Sequence, residues 1–502
     1  MQSLQALGYY HAGLSWQGDC LMNLQPGPPV RLGTVQVLIN GEAAQDAAFV
    51  ELLTHYPLKT GAIFDQGTYD SLKSGIEALA RAHGYFDGRW QHHLIELNVQ
   101  QNRADVHLVY DSGRRYRLGA VEFLHTPVRL KILRRFVPFQ PGTPYDADRL
   151  MQLNKNLLDT HYFKSVDVQA EPKQAVNHVI PVRVRLSVGK RNNMALGVGF
   201  ATDIGPRLSA NWSRPLLSQN GHSVSVDTQY SRIQSSVQFS YNIPVETTRE
   251  DTMQVIYGFQ RYVILNTVTD STLFGPQYNL FAANGWREVS YIHWQRNFYS
   301  RTDGSTATSN LLLPGFSWTR TISRGGVDPY EGNQQTWQIE GGTNDLLSDT
   351  NVLDVHANWR WLQTYLGRHQ LLVRFDGGGL WASDWTKIPP TMRFFAGGDQ
   401  SIRGYGFNSL GPTDNLGNVL GGHYLLVGSL QYGYQWRPHW RPHVFVDAGN
   451  AYDSLRDEPT KKSTGFGVSW LSPVGPVSVD LGFGLRDATH PVRLHFYMGP
   501  PL

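Results

Sequence analysis

Residues 477–486 read Val477-Ser478-Val479-Asp480-Leu481-Gly482-Phe483-Gly484-Leu485-Arg486, so large apolar side chains alternate with polar residues or glycine. Because successive residues of a β-strand point to opposite faces, one face of this stretch is apolar and the other polar. An alternating stretch of about 10 residues is typical of a strand that crosses a membrane around a water-filled interior.

The same alternation fills the C-terminal part of the chain. It recurs at residues 223–230 and 237–243, and we count about sixteen such segments between Asn193 and Met498. Bacterial single-chain barrels have an even number of strands. We therefore predict a 16-stranded antiparallel transmembrane β-barrel over residues 189–502. A soluble β-sandwich or propeller is the alternative, but it does not account for 14 tryptophans with so few continuous apolar runs.

Composition narrows the class of protein further. The chain has 502 residues and a net charge of only +3, which does not favour nucleic acid as a partner. No stretch approaches the roughly 18 consecutive apolar residues of a transmembrane helix. Cys20 is the only cysteine, so the chain contains neither an internal disulfide nor a CxxC metal site.

Residues 1–188 contain an internal repeat. Gly27-Pro28-Pro29-Val30-Arg31-Leu32-Gly33-Thr34-Val35 returns 86 residues later as Gly113-Arg114-Arg115-Tyr116-Arg117-Leu118-Gly119-Ala120-Val121. Each copy continues in the order strand, helix, helix, strand, strand, which predicts a small α+β module. Thr68 is the expected N-cap of the second helix in the first copy. That helix carries apolar residues at helical spacing in both copies: Leu72, Ile76 and Leu79, then Leu150, Leu153 and Leu157.

An aromatic doublet follows each of these helices and also occurs near the start of the chain. The doublets are Gly84-Tyr85-Phe86 and His161-Tyr162-Phe163, and Gly8-Tyr9-Tyr10 resembles them. We therefore expect residues 1–26 to be the end of an earlier repeat. The first residues also lack the pattern of a signal peptide, so we expect the N-terminus to be truncated. The predicted domains are 1–26, 27–112, 113–188 and 189–502.

Modules of this kind leave a strand edge open. An open edge pairs readily with an extended chain, so the repeats are candidates for binding a client or a partner. The alternative is that they only space or support the barrel.

A glycine-rich loop carries one arginine among aromatic residues. It reads Arg393-Phe394-Phe395-Ala396-Gly397-Gly398-Asp399-Gln400-Ser401-Ile402-Arg403-Gly404-Tyr405. Two strands later the chain reads Phe445-Val446-Asp447-Ala448-Gly449. Alternation on the nearby strands places Ser429, Gln431, Phe445 and Asp447 on the inward face. Further motifs are Gly428-Ser429-Leu430, Leu471-Ser472-Pro473-Val474-Gly475-Pro476 and Phe496-Tyr497-Met498-Gly499-Pro500.

Together these motifs resemble the POTRA-plus-barrel assembly factors of the Gram-negative outer membrane, most closely the TamA group. The resemblance implies that the loop 382–423 folds back into the barrel lumen and that Arg403 meets acidic residues of the inner wall. Asp447 is the expected partner, because a partly desolvated arginine needs a carboxylate. Relatives usually carry glutamate where this chain has Gln431, so we expect one anionic partner for Arg403 and not two. An exposed arginine on a flexible outer loop is the alternative.

The first and last strands of the barrel must pair to close it. The first strand contains Gly197 and Gly199, and glycine-rich strands pair weakly. The last strand, residues 492–498, contributes Leu494, Phe496 and Met498, and Pro500-Pro501 prevents it from extending. The resemblance implies a lateral seam that opens to template client strands. A seam that is thin but always shut is the alternative.

The resemblance implies a non-enzymatic factor that helps insert or secrete outer-membrane β-barrels such as autotransporters. The chain contains neither an HExxH nor a GxSxG motif, and we expect no metal, cofactor or nucleic acid. Expected partners are nascent barrel clients, membrane lipids and a TamB-like periplasm-spanning protein. The expected location is the Gram-negative outer membrane, with the repeats in the periplasm. General BamA-like insertion and a two-partner secretion pore remain as alternatives.

Overall fold

The computed structural model describes residues 2–17, 21–56, 58–124, 126–245, 251–456, 458–473, 475–485 and 490–499. The chain divides into two compact units, Met1–Lys190 and Arg191–Leu502. Cys20, Val474, Arg486, Pro500 and Pro501, which entered the expectations above, lie outside the described residues. Within the described part of the chain, no helix combines the length and the apolar character needed to cross a membrane.

The N-terminal unit begins with a helix and a hairpin and continues with two modules. Each module has the order strand, helix, helix, strand, strand, and its three strands form one three-stranded sheet. The opening elements are α1 (Gln2–Ala6), β1 (Gly13–Gln17) and β2 (Leu21–Gln25). The first module contains β3 (Arg31–Asn40), α2 (Ala47–His55), α3 (Gln66–His83), β4 (Arg89–Asn98) and β5 (Arg103–Asp111). The second contains β6 (Arg117–Leu124), α4 (Leu130–Arg134), α5 (Ala147–Leu158), β7 (Phe163–Ala170) and β8 (Val179–Val188).

The last strand of each module lies in the middle of its sheet. The orders are β3-β5-β4 and β6-β8-β7. In both sheets the first strand pairs with the central strand in parallel, and the third strand pairs with it antiparallel. The outer strands of each sheet therefore have one edge without a partner strand in that sheet.

The helices cover these sheets with the apolar faces that the periodicity predicts. Leu72 and Ile76 of α3 are buried, and Leu79 packs against the same core. In α5, Leu153 and Leu157 have no exposed surface. Helical spacing of apolar residues thus identified the buried side of both helices.

Helix α3 begins earlier than Thr68, so the expected N-cap is wrong. The N-cap is Asp65, whose Oδ1 accepts the N–H of Gly67 at 3.1 Å. The hydroxyl of Thr68 donates to Asp65 Oδ2 at 2.6 Å. A carboxylate accepts from the backbone and from the hydroxyl at once, which lets the helix start at Gln66.

Asp46 connects the two modules. It caps α2 by accepting the N–H of Ala48 at 3.1 Å, and it also accepts from Nη1 of Arg115 at 3.2 Å. Arg115 precedes β6, and its Nη2 donates to the carbonyl of Tyr145 in the second module at 3.0 Å. Burial alone would raise the pKa of Asp46, but the Ala48 N–H, His83 and Arg115 together lower that pKa below its usual value.

We expect Asp46→Asn to weaken α2 and its connection to the second module by about 2 kcal/mol at pH 7, because a buried charged acceptor is lost. The pKa of Asp46 is lower in the folded than in the unfolded state. Its contribution is therefore complete above the usual aspartate value of about 4 and is lost as the pH falls through the lower, folded-state pKa. Hydrogen exchange of α2 amides in the intact protein should show the difference at pH 7 and lose it progressively as the pH falls through the folded-state pKa. Asp70→Asn, at an exposed site on α3, is the control, and equal protection in both variants would contradict the role of Asp46.

The second unit is the 16-stranded antiparallel barrel that the alternation predicts. Its strands follow chain order around the sheet from β9 to β24, without crossovers. The strands of its first half are β9 (Asn193–Ala201), β10 (Gly205–Arg214), β11 (Ser223–Ser231), β12 (Gln234–Pro244), β13 (Thr252–Ile264), β14 (Thr267–Phe281), β15 (Trp286–Ser300) and β16 (Thr306–Arg324). Those of its second half are β17 (Glu331–Gly342), β18 (Val352–Tyr365), β19 (His369–Ala382), β20 (Tyr424–Tyr434), β21 (Trp440–Tyr452), β22 (Lys461–Ser472), β23 (Gly475–Leu485) and β24 (Val492–Met498).

Alternation sorts the side chains of these strands into an outer apolar face and an inner polar face. On β21, Val444 and Val446 are exposed, whereas Phe445 and Asp447 are buried. Leu430 of β20 is exposed and lies directly opposite Val446. The inward parity predicted for these two strands is correct.

Candidate functional site

The connection between β19 and β20, residues 383–423, packs against the inner wall of the barrel. Ile402 is fully buried and Tyr405 nearly so. They belong to one apolar cluster with the inward residues Leu313 and Leu425 of β16 and β20. The loop is thus held inside the barrel by apolar contacts as well as by the polar ones described next.

Glycines allow the loop to turn and to approach the wall. Gly397 and Gly398 have φ of 99° and 108°, a left-handed region that side chains disfavour. At Gly404 an added Cβ would meet the backbone of Gly484 on β23. A larger residue at position 404 would therefore push the motif off the wall.

Arg403 forms a forked ion pair with Asp447. Its Nε donates to Asp447 Oδ2 at 3.0 Å and its Nη2 donates to Oδ1 at 2.8 Å. The backbone N–H of Arg403 donates to the same Oδ2 at 3.0 Å. Both side chains have no exposed surface. The structure thus brings together the two residues that parity and the resemblance had paired.

Arg403 has a second carboxylate partner, so the expectation of a single anionic partner is wrong. Its Nη1 donates to Asp480 Oδ2 at 3.1 Å and to Gln431 Oε1 at 2.7 Å. Asp480 lies on β23, and the barrel wall curves so that this strand reaches the same guanidinium. An aspartate three strands away from Gln431 therefore supplies the charge that Gln431 lacks.

The remaining donors and both carboxylates are also satisfied. Nη2 of Arg403 donates to Ser429 Oγ at 3.1 Å, so all five N–H donors of the guanidinium have acceptors. Ser463 donates to Asp447 at 3.2 Å, and His443 Nε2 lies 2.7 Å from Asp480 Oδ1. The Phe445 ring lies 3.4 Å from the guanidinium carbon and covers it.

Two further predicted residues flank this cluster. The hydroxyl of Tyr405 donates to the carbonyl of Leu485 on β23 at 3.4 Å. Gly449 has φ of 154°, and an added Cβ there would meet the backbone of β20 at Leu426. Gly449 thus lies where β21 and β20 approach closely. Among the described residues, no hydrogen bond joins Gly449 to Arg403.

The first and last strands lie next to each other without a β-ladder. Among the described residues, one backbone hydrogen bond joins them, from the Thr202 N–H to the Phe496 carbonyl at 3.0 Å. The hydroxyl of Thr202 bonds to the same carbonyl at 3.1 Å, and the rings of Phe200 and Phe496 are 5.8 Å apart. We call this junction of β9 and β24 the seam.

The outward side chains of β9 are more exposed than those of a fully paired strand, because no ladder joins β9 to β24. Leu196 and Val198 on the outer face of β9 are 81% and 79% exposed, whereas Leu426 and Leu430 on the fully paired β20 are 47% and 50% exposed. On the inner face of β9, an added Cβ at Gly199 would meet no atom within 4 Å. At Gly197 it would meet Ser209. On β24, the outward Leu494 and Met498 are 61% and 48% exposed.

The loop contacts both strands of the seam through residues that the sequence analysis did not identify. Asp203, just after β9, accepts the backbone N–H of Asp399 in the loop. His495 of β24 lies with Nδ1 3.4 Å from Asp203 Oδ1, and its Nε2 donates to the Arg403 carbonyl at 2.6 Å. Alternation on the last strand placed His495 inward, which was the available signal. Asp203 lies in a turn, where alternation carries no information.

The fold and this site define the class of protein. Residues 187–500, more than half of the chain, match the model of the Omp85 superfamily domain, so the chain belongs to that superfamily. Its relatives include the outer membrane protein assembly factor BamA of Nitratidesulfovibrio vulgaris, 25% identical over 74% of this chain and 49% of the relative. The BamA of Neisseria meningitidis serogroup B is 21% identical over 78% of this chain and 57% of the relative.

The chain spans about half of the length of these curated relatives. Among solved structures, BamA from Haemophilus ducreyi lacking POTRA domains 1–3 superposes with a TM-score of 0.76 at 15% identity. That superposition covers 93% of this chain and 99% of the other. At this identity the likeness concerns the fold.

Proposed function

We propose that this protein helps insert β-barrel proteins into the outer membrane of Gram-negative bacteria by pairing with their strands at the seam. The observation that carries the proposal is the junction of β9 and β24, where one backbone hydrogen bond stands in place of a ladder. The unpaired backbone groups of two such strands form a template for an incoming strand. The names of the BamA relatives support the same role.

The N-terminal unit fits this role as a pair of POTRA repeats in the periplasm. Its modules expose strand edges at which an extended client can add a strand. The superposition with the Haemophilus ducreyi structure covers 93% of this chain and therefore more than its barrel, which supports the same view. A non-enzymatic mechanism, autotransporter clients and a TamB-like partner belong to the proposal through the resemblance to the TamA group.

Crosslinking from the seam tests the proposal. A photo-crosslinking amino acid at Leu196 or Leu494 should form adducts with nascent barrel proteins in cells. Tyr257 and Phe274 lie opposite each other on the outer faces of β13 and β14, a complete ladder, and serve as matched controls. Client adducts at the two seam positions but not at the controls would support the proposal. Equal adducts at the seam and the control positions, or none at any position, would contradict an assembly role for the seam.

A further inference from the structure

Three tryptophans surround a carboxylate on the outer face of the barrel. Glu288 of β15 lies directly opposite Trp318 of β16, which lies opposite Trp337 of β17. Trp286, two residues before Glu288, completes a cavity of about 300 Å³ that these four residues line. Opposed residues of antiparallel strands share a face, so the four side chains belong to one surface.

That surface is the outer one. Phe316 and Ile339, each two residues from a cavity tryptophan on its own strand, are 50% and 38% exposed. The residues of opposite parity face inward, as the hydrogen bond of 2.8 Å between the Tyr291 hydroxyl and Glu340 across the inner wall shows. Glu288 therefore points away from the lumen, toward the side of the barrel that lipid covers.

The cavity holds an unpaired anion with an unpaired cation beside it. Within the described residues, Glu288 forms neither a hydrogen bond nor an ion pair. Arg320 lies directly opposite Trp286, on the same outer face. Its Nε is buried and has no hydrogen-bond partner in the described part of the chain. Glu288 and Arg320 are diagonal neighbours in the sheet, with backbones about 7–8 Å apart, and within the described residues no ion pair joins them.

This arrangement complements a zwitterion. Aromatic faces attract a cation, and the carboxylate among them accepts its N–H groups. A guanidinium binds phosphate through parallel N–H donors. A carboxylate at the cage favours a primary ammonium over a quaternary one, because only the primary ammonium donates hydrogen bonds.

We propose that Trp286, Glu288, Trp318, Trp337 and Arg320 bind the headgroup of one phosphatidylethanolamine molecule. The ammonium lies in the tryptophan cage against Glu288, and the phosphate lies against Arg320. The site is at the end of the barrel where β15 begins and β16 ends, the level at which aromatic residues of a barrel meet lipid headgroups. Phe316 and Ile339 lie toward the middle of the barrel, where they contact the acyl chains.

A second tryptophan pair provides a matched control. Trp440 and Trp470 lie opposite each other at the same end of the barrel, because β21 begins there as β15 does. Both are exposed, at 45% and 43%. The residue opposite Trp470 on β23 is Val477 and not a carboxylate, and Arg437, which pairs with Trp440, lies over the ring of Trp436. This pair is an ordinary part of an aromatic belt and should show no preference among headgroups.

Native mass spectrometry of the intact purified protein tests the site. Phosphatidylethanolamine, phosphatidylcholine and phosphatidylglycerol with identical acyl chains are added in turn. We expect one phosphatidylethanolamine to be retained about 10-fold more strongly than the other two lipids. Glu288→Gln should abolish that preference, Arg320→Gln should weaken retention of both phosphatidylethanolamine and phosphatidylglycerol, and Trp440→Phe with Trp470→Phe should change neither.

Each outcome decides the proposal. Equal retention of the three lipids by the wild type, or wild-type retention of phosphatidylethanolamine by Glu288→Gln, would overturn it. Retention of phosphatidylcholine as strong as that of phosphatidylethanolamine would also overturn it, because N–H donors would then play no part. Gel mobility before and after heating shows that each variant retains the folded barrel, so loss of binding is not loss of fold.

Discussion

Asp447→Asn should release the Arg403 loop from the barrel wall and expose it to trypsin. Three hydrogen bonds from Arg403 end on this carboxylate, including the one from its backbone N–H. Removing one partner of a buried ion pair costs about 3–5 kcal/mol, since the other charge remains buried. At about 1.4 kcal/mol per factor of ten, a cost of 3 kcal/mol raises the fraction of protein with a released loop about 100-fold.

Gln431→Ala should have a much smaller effect on the same readout. Gln431 accepts one hydrogen bond from Nη1 of Arg403, and Asp480 accepts from the same nitrogen. Tryptic cleavage after Lys387, Arg393 and Arg403 in the folded barrel measures the released fraction. Asp453→Asn, which alters an exposed contact with His423 at the base of the loop, controls for general loosening. Equal cleavage rates in Asp447→Asn and Gln431→Ala would show that the forked ion pair does not hold the loop.

A disulfide across the seam should strongly lower the proposed assembly activity while leaving the barrel folded. Thr202 and Phe496 are joined by a backbone hydrogen bond of 3.0 Å. A backbone hydrogen bond brings the Cα atoms of its two residues to roughly 5–6 Å, a separation that a disulfide can span. With Cys20 replaced by Ser, cysteines at 202 and 496 should crosslink and lower client insertion at least 10-fold, because the seam can no longer part.

Reduction of that disulfide should restore insertion, which separates the crosslink from the two substitutions. A second pair, cysteines at Val237 and Phe259, provides the control. These residues lie opposite each other in the complete ladder between β12 and β13, and both are 47% exposed on the outer face. Full activity of the oxidised seam variant would exclude lateral opening as a step in the function.

Alternation was sufficient to predict most of the barrel and half of the site. On β20 and β21 it placed Gln431, Phe445 and Asp447 inward, and these residues surround Arg403 in the structure. It also placed Asp480 inward, but not within reach of Arg403. Which inward residues meet depends on strand stagger and on the path of the loop, and neither property is local in sequence.

Two further features of the chain, the start of α3 and the closure of the barrel, were predicted incompletely for separate physical reasons. The predicted N-cap of α3, Thr68, lies three residues after the observed one, Asp65. Both residue types suit a helix start, and only the hydrogen bond between them decides which one caps the helix. The glycines of β9 predicted weak pairing between the first and last strands. They did not predict the absence of a ladder, because the pairing of two strands far apart in sequence depends on the whole barrel.

The contacts of Asp203 and His495 make the docked loop and the closed seam thermodynamically linked. Asp203 holds the loop at Asp399, and His495 holds the Arg403 carbonyl, so parting β9 from β24 disturbs both. Linkage is reciprocal: whatever free energy a released loop contributes to opening the junction, an opened junction contributes to releasing the loop. Under the proposed function, a client strand that pairs at the seam would thereby act as an allosteric effector of the loop in the lumen without contacting that loop.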